Sequence, residues 1–443
     1  MTQTLGRISS LLIAVAVLLV GHGLQLTLLP MRAETLGWTT GAIALTGSTY
    51  FLGFVVGCLV IPAVVARVAH IRTFMVMGAL ATVALLGVGL FDLLPAWLVL
   101  RFGTGFAFSG MYMVIESWLS EASPSDRRGS VLAIYSMISL LAMMVGQSLL
   151  ALGQASDLRL VMAAAFILAF AIIPIGLTRT AAPMPIPRAS FSPRVLARAS
   201  RVAVVCAFVG GLVTGSFWSV GPLVGRAYGL DGAGIGALMG AGIVGGALAQ
   251  FPVGLLSDHT DRRLVIAVML TLGAALAGVG WWFSAGNAAV LYGSMFSVGA
   301  ATMPIYAMCI ATAADNAADV PLIQIASGIL IVNSTGSILG PLMVSPLVTG
   351  TGGEGFFLFA LAVMALGAGW AFYRISVIER PKVHEQRFVA VPKTSIVATE
   401  LAEPEPPAPE RDEATGDAAG VTAADLWEGH GAPDRAAASL GDK

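Results

Sequence analysis

Long apolar runs alternate with short polar breaks along most of this chain. Twelve runs stand out, at about 8–29, 41–64, 73–92, 95–118, 129–151, 158–177, 201–222, 232–255, 264–284, 288–312, 321–347 and 354–376. Each reaches the roughly 20 mostly apolar residues that a helix needs to cross a bilayer. The first run contains Ala14-Val15-Ala16, but in mid-run, where a cleavage site does not belong. Eleven more runs follow it, so it reads as a retained helix and not as a signal peptide.

The positive charges orient these spans. With the N-terminus placed in the cytoplasm, the inner loops and flanks hold 15 Arg and Lys residues and the outer side at most 4, counting Arg101 just inside a helix. Arg and Lys favour cytoplasmic loops, so both termini are expected on the cytoplasmic side of the inner membrane. The longest connector, residues 179–200, is rich in Arg, Pro and Ala and separates six spans from six. The expected organisation is a six-helix bundle over 1–178, a cytoplasmic linker over 179–200, a second bundle over 201–377, and a tail over 378–443. The tail turns to Glu, Asp, Pro and Ala and reads as a disordered cytoplasmic extension.

A shift of about 190 residues lays one half on the other. Gly21 meets Gly211, Pro62 meets Pro252, Arg72 meets Arg262, Gly103 meets Gly293 and Gly146 meets Gly336. Their collinearity at one offset implies two parallel repeats related by an axis along the membrane normal, with a substrate site between them near the midplane. Glycines four apart, at Gly232, Gly236 and Gly240, suit closely packed helices.

Composition narrows the class. Of 443 residues 57% are hydrophobic and 11% charged, which excludes an ordinary soluble enzyme, a DNA-binding protein or a disordered scaffold. The net charge of −1 offers no surface for nucleic acid. Cys58, Cys206 and Cys309 stand singly in apolar runs and read as small buried residues. No GxxxxGK[ST], HExxH, GxSxG or repeated His-box is present, so neither an ATP-driven pump nor a membrane enzyme is expected, and no cofactor or metal.

Two loops carry a resemblance. Gly254-Leu-Leu-Ser-Asp258-His-Thr-Asp261-Arg262-Arg263 follows the eighth span, and Glu121-Ala-Ser-Pro-Ser-Asp-Arg-Arg128-Gly129 follows the fourth. They resemble the glycine–Asp–paired-base loop and the E-x6-R-G element of the Major Facilitator Superfamily. The equivalent first-half loop, Gly57 to Arg72, is degenerate and has Val68 where the shift places Asp258. Glu116-Ser-Trp118, Gln250-Phe-Pro252, Pro304-Ile-Tyr306 and Gly336-x-x-x-Gly340-Pro341 are similar to the YcaD-like branch of that superfamily. The resemblance implies an all-α integral membrane fold of two pseudo-symmetric six-helix bundles. It also implies that Glu121, Arg128, Asp258 and Arg262 gate the cytoplasmic face; a static surface cluster that only enforces topology is the alternative.

In the superfamily, spans one, four, seven and ten line the central cavity. That puts His22 and Gln25, Glu116, Trp218 and Tyr306 there, with Asn333 and Gln147 on flanking spans. Glu116 is the one acid inside an apolar run, and a carboxylate in a low-dielectric cavity suits proton coupling. Snorkelling to the interface or bracing a neighbour is its alternative. The aromatics could equally serve helix packing. Arg101 is expected to brace the structure near the outer edge; it lies about 22 Å from Glu116 along the helix, too far to pair with it.

The reading is a secondary active transporter, proton-coupled through Glu116 or His22, that moves a small organic solute by alternating access. The expected partners are that solute, protons and the lipid bilayer, with no nucleic acid, and the protein is expected to act as a monomer. Two alternatives stand beside it: a multidrug or toxic-compound efflux antiporter, and a non-transporting substrate sensor on the same fold. The first is weakened because the Gly-Pro pair of drug antiporters, found there in span five, here falls in span eleven.

Overall fold

The computed structural model describes residues 2–123, 128–177, 196, 199–317 and 320–377; the side chains of 2–8, 10, 128 and 129 lie outside that description. The expected linker over 179–200, apart from a few residues, and the expected tail over 378–443 also lie outside it. All twelve expected spans appear as helices long and apolar enough to cross a membrane. The first half holds α1 (Thr2–Thr35), α2 (Thr40–Val68), α3 (His70–Leu90), α4 (Leu94–Ala122), α5 (Arg128–Ser148) and α6 (Leu158–Gly176). The second holds α7 (Arg201–Ala227), α8 (Gly232–His259), α9 (Arg262–Phe283), the pair α10 (Ala288–Thr302) and α11 (Ile305–Ala314), α12 (Leu322–Thr351) and α13 (Glu354–Val377). Two spans differ from a single helix each: a 3-10 turn, Leu149–Leu152, extends span five, and span ten is in two pieces. Met303 and Pro304 interrupt it, because Pro304 has no N–H to continue the helical ladder.

Side-chain caps start several spans. Thr39, Asp157, Ser200, Asp231, Asp261 and Asn287 each accept a bond from a backbone N–H of the first turn, which has no partner within the helix. The outer surface is strongly apolar. Val83, Val99, Phe166, Phe251 and Leu366 are 63–75% exposed, which suits lipid and not water.

In lipid, burying apolar surface drives association weakly, so close backbone approach must supply much of the packing. The repeat provides it in the same way twice. Gly146 lies on α1, where a Cβ would run into the carbonyl oxygen of Val20. Gly336 lies on α7, where a Cβ would run into the carbonyl oxygen of Phe208. The 190-residue shift thus joins equivalent contacts on spans five and eleven. On spans one and seven the structural register differs by two residues. Gly23 and Gly211, not Gly21 and Gly211, face these partners, while Gly21 packs on Leu168 of α6. A gapless shift cannot follow such a slip.

An even number of spans returns both ends of residues 2–377 to one face, called here the terminal face. Among the described residues, several close contacts between the halves lie toward the opposite face. Arg226 Nε, at the end of α7, bonds Glu34 Oε2, at the end of α1, at 3.1 Å. Ser48 Oγ on α2 donates to the Ile338 carbonyl on α12 at 2.6 Å. Gly232 and Gly236, at the start of α8, rest on the carbonyl oxygens of Leu150 and Gln147.

Candidate functional site

Below that seal, at mid-depth, lies a cavity of about 220 Å³ bounded by both halves. Eight spans line it: α1 through His22 and Leu26, α2 through Tyr50, Phe51 and Phe54, α4 through Tyr112, α5 through Ser136 to Met143, α7 through Thr214 and Trp218, α8 through Gln250, span ten through Thr302 and Met303, and α12 through Ser334 and Ser337. Spans two, five, eight and eleven therefore join the expected spans one, four, seven and ten. The wall is aromatic with scattered hydroxyls and, among the described residues, has no Asp or Glu. Apolar walls with a few polar groups are the usual makeup of a small-molecule site.

Several wall hydroxyls are spent on their own helix. Thr214 Oγ1 donates to the Gly210 carbonyl, Ser139 Oγ to that of Tyr135, and Thr302 Oγ1 to that of Val298. Ser136 Oγ is buried without a partner and keeps its hydrogen-bonding capacity.

His22 is the titratable centre of the wall. Its Nδ1 lies 3.0 Å from Gln25 Nε2, and its Nε2 lies 3.5 Å from the Tyr50 hydroxyl. With the amide nitrogen facing Nδ1, that ring nitrogen accepts, and the ring proton belongs on Nε2. The imidazole packs against Phe108 with centroids 3.9 Å apart. Gln25 comes one turn after His22 on the same face of α1, and its Oε1 is buried without a partner.

The other named residues are scattered. Trp218 lines the cavity, whereas Gln25, Glu116, Tyr306 and Asn333 stand behind the wall. Glu116 is fully buried and accepts a bond from the Tyr135 hydroxyl at 2.9 Å. Asn333 Nδ2 donates to the Ala207 carbonyl at 2.9 Å and so ties α12 to α7. Gln147 accepts from Thr27 Oγ1 and ties α5 to α1. Tyr306 is 1% exposed and its hydroxyl has no partner. Arg101 lies near the start of α4, is 4% exposed, and its guanidinium carbon lies 4.7 Å from the centroid of the Tyr50 ring.

At the terminal face, Arg262 is 2% exposed and bonds Asp315 at 2.9 Å and Asp258 at 3.5 Å. Asp315 follows α11 and was not among the gating candidates. Its signal in the sequence was an acid just past span ten, on the face that carries the Asp258–Arg263 loop. Arg263 forks onto Asp261 through Nε and Nη2, at 3.1 and 2.8 Å. Glu121 is exposed at the end of α4, and the Arg128 side chain is outside the described residues. The wall residues Tyr50, Phe54 and Tyr112 were also missed. For the two tyrosines the available signal was a polar aromatic in mid-span, which a hydropathy count treats as filler; Phe54 carried none.

Comparison with known proteins agrees with this architecture. The uncharacterized MFS-type transporter YcaD of Salmonella arizonae is 26% identical over 339 residues, covering 76% of this chain and 87% of the relative. A crystal structure of the nucleoside transporter NupG, in the form of a point mutant, superposes with a TM-score of 0.69 at 12% identity, over 83% of this chain and 99% of that one. A bacterial homolog of the human lysosomal transporter Spinster, inward-facing and occupied, gives 0.62 at 15% identity, over 84% and 96%. At these identities the structures speak for the fold alone. The Major Facilitator Superfamily profile matches residues 11–204 and 203–409. With twelve spans, a cavity shared by two halves and a profile match along most of its length, the chain belongs to the Major Facilitator Superfamily and is a multi-pass membrane transporter that resembles its YcaD-type relatives.

Proposed function

We propose that this protein is a proton-coupled secondary transporter that moves a small organic solute across the cytoplasmic membrane by alternating access, with both termini in the cytoplasm. The carrying observation is the cavity at mid-depth, walled by both halves and roofed on one face by contacts between them. Rocking the halves apart would exchange that roof for a closure at the terminal face, where the Arg262 cluster stands ready.

His22 is the proposed proton carrier. A second proton on Nδ1 would face the Gln25 amide, and a half-turn of that amide would present its unpartnered Oε1 as acceptor. Protonation thus has a built-in local response beside the cavity. Glu116 is held by Tyr135 away from the wall and fits a supporting role better.

Flux in proteoliposomes under an imposed pH gradient tests the reading. Uptake of a solute found by thermal stabilisation should follow the gradient. His22→Gln should uncouple it, leaving solute exchange without proton-driven accumulation. Accumulation in His22→Gln equal to that of the wild type would remove the histidine from the coupling step. A second test addresses the roof. A bifunctional thiol reagent joining Glu34→Cys to Arg226→Cys should stop flux, and flux that persists in the cross-linked protein would refute alternating access about this cavity.

A further inference from the structure

Four arginines are buried among the described residues whose side chains are given: Arg32, Arg101, Arg262 and Arg263. Three have carboxylates. Arg32 reaches Asp92 at 3.4 Å, Arg262 reaches Asp315 at 2.9 Å and Arg263 reaches Asp261 at 2.8 Å. Arg101 forms no ion pair and no hydrogen bond there, and its Nε and Nη1 are buried without partners. What it has is the face of the Tyr50 ring, 4.7 Å from the guanidinium carbon, and Tyr50 is a wall of the central cavity. A cation–π contact offsets only part of the cost of taking a guanidinium out of water, and buried charges are normally paired. The arrangement is one counter-charge short.

The cavity can supply it. Among the described residues no Asp or Glu lines it, and Glu116 behind the wall is already bonded by Tyr135, whereas Arg101 has no carboxylate, so an anionic solute gains more there than a cationic one. A carboxylate placed against Tyr50 and His22 would meet the field of Arg101 across one ring, in surroundings that screen it poorly. The remaining wall suits an apolar or aromatic body, with Phe54, Tyr112 and Trp218 around it.

We propose that Arg101, acting beside Tyr50, is the anchor for an anionic group on the transported solute, and that the solute is a small organic anion such as a monocarboxylate with an apolar or aromatic body. This deepens the transport reading and rests on the cavity being the transport site. It replaces the purely structural role expected for Arg101 from the sequence.

The test uses the full chain in lipid nanodiscs and three sets of matched probes: benzoate, benzamide and benzylamine; phenylacetate, phenylacetamide and phenethylamine; and cinnamate with cinnamamide. Binding is read by calorimetry and by thermal stabilisation. In the wild type the acids should bind at least ~10-fold more tightly than their amides, as befits an anion in the poorly screened field of a buried cation, and the amines most weakly. Arg101→Gln should abolish the acid preference while leaving the weak amide binding, and Arg101→Lys should keep part of it. If Arg101→Gln does not fold, the wild-type acid-to-amide ratio and its reduction in Arg101→Lys decide the matter. Amides binding as well as acids, an acid preference that survives Arg101→Gln, or no acid binding in any set would each overturn the proposal. Flux of the same probes in proteoliposomes separates the two readings. Acid-selective binding without flux would leave the anchor and remove transport. Flux of an amide or amine without acid preference would leave transport and remove the anchor.

Discussion

The two halves make the same turn at the terminal face in different ways. In the second half, two residues join α8 to α9. Asp261 caps α9 and holds Arg263, while the buried Arg262 ties Asp258 at the end of α8 to Asp315 after α11. In the first half, Ala69 alone joins α2 to α3, with φ 68° and ψ 165°, a conformation that favours glycine. Its carbonyl accepts from the Thr73 amide and hydroxyl, and His70 Nε2 lies 3.1 Å from Ser117 Oγ on α4. One repeat therefore closes its turn with a buried network of ions, the other with a neutral bond and a strained residue. A repeat that preserves helix packing does not have to preserve electrostatics.

The sharpest way to break this comparison is to delete the matched arginines. Arg262→Ala leaves the carboxylate of Asp315, whose side chain is only 7% exposed, without its guanidinium, and is expected to cost about 3–5 kcal/mol. Arg72, its counterpart under the shift, is exposed, and Arg72→Ala should stay within about 0.5 kcal/mol. Thermal unfolding of the two variants in one detergent measures the contrast, and equal losses would show that burial is not what separates them. Asp315→Asn should cost less than Arg262→Ala, about 1–3 kcal/mol, because the neutral amide still bonds the guanidinium and Asp258 remains. A loss equal to that of Arg262→Ala would mean that Asp258 contributes nothing.

The first-half turn should respond in the opposite direction. Ala69→Gly relieves the left-handed strain and is expected to raise stability by about 1 kcal/mol, after the entropy that glycine adds to the unfolded chain. A lowered melting temperature would mean that the Ala69 methyl makes a contact worth more than the strain. The smallest effect is expected from Val68→Asp, which restores the missing acid of the loop signature. Val68 is 38% exposed and Arg72 is exposed, so any new pair is a surface pair and should add no more than about 0.5 kcal/mol. A larger, salt-sensitive gain would show that the first half retains a receptive site for the ion network.

Much of the fold was legible because hydropathy over 20 residues is a coarse, additive signal that no tertiary contact reverses. Twelve spans and their order follow from it. The cavity was legible only in part, since facing it depends on how each helix is rotated about its axis. His22 and Trp218 face it, but Tyr306 and Asn333, on spans as well chosen, are turned into packing seams. Hydroxyls are ambiguous for another reason: Thr214 and Thr302 bond their own backbones and signal no direction from the sequence. Asp315 escaped because it is brought to Arg262 by packing across 53 positions, which local spacing does not record.

The Arg101–Tyr50 contact also bears on how the chain is made. Span four has a mean hydropathy of 1.4, the lowest of the twelve together with span ten, and it carries a guanidinium. On insertion scales a charge costs ~2.5–3.5 kcal/mol at a helix centre and less toward an end, where Arg101 sits about two turns from the start of α4. Span two leaves the ribosome first, carries Tyr50 and packs along span four, with the glycine at Gly105 set against the Tyr50 carbonyl. Insertion of span four is therefore expected to depend on span two being at hand to pack against it. A nascent chain with span two replaced by polyleucine should integrate span four poorly, a dependence that glycosylation mapping of truncated chains would reveal.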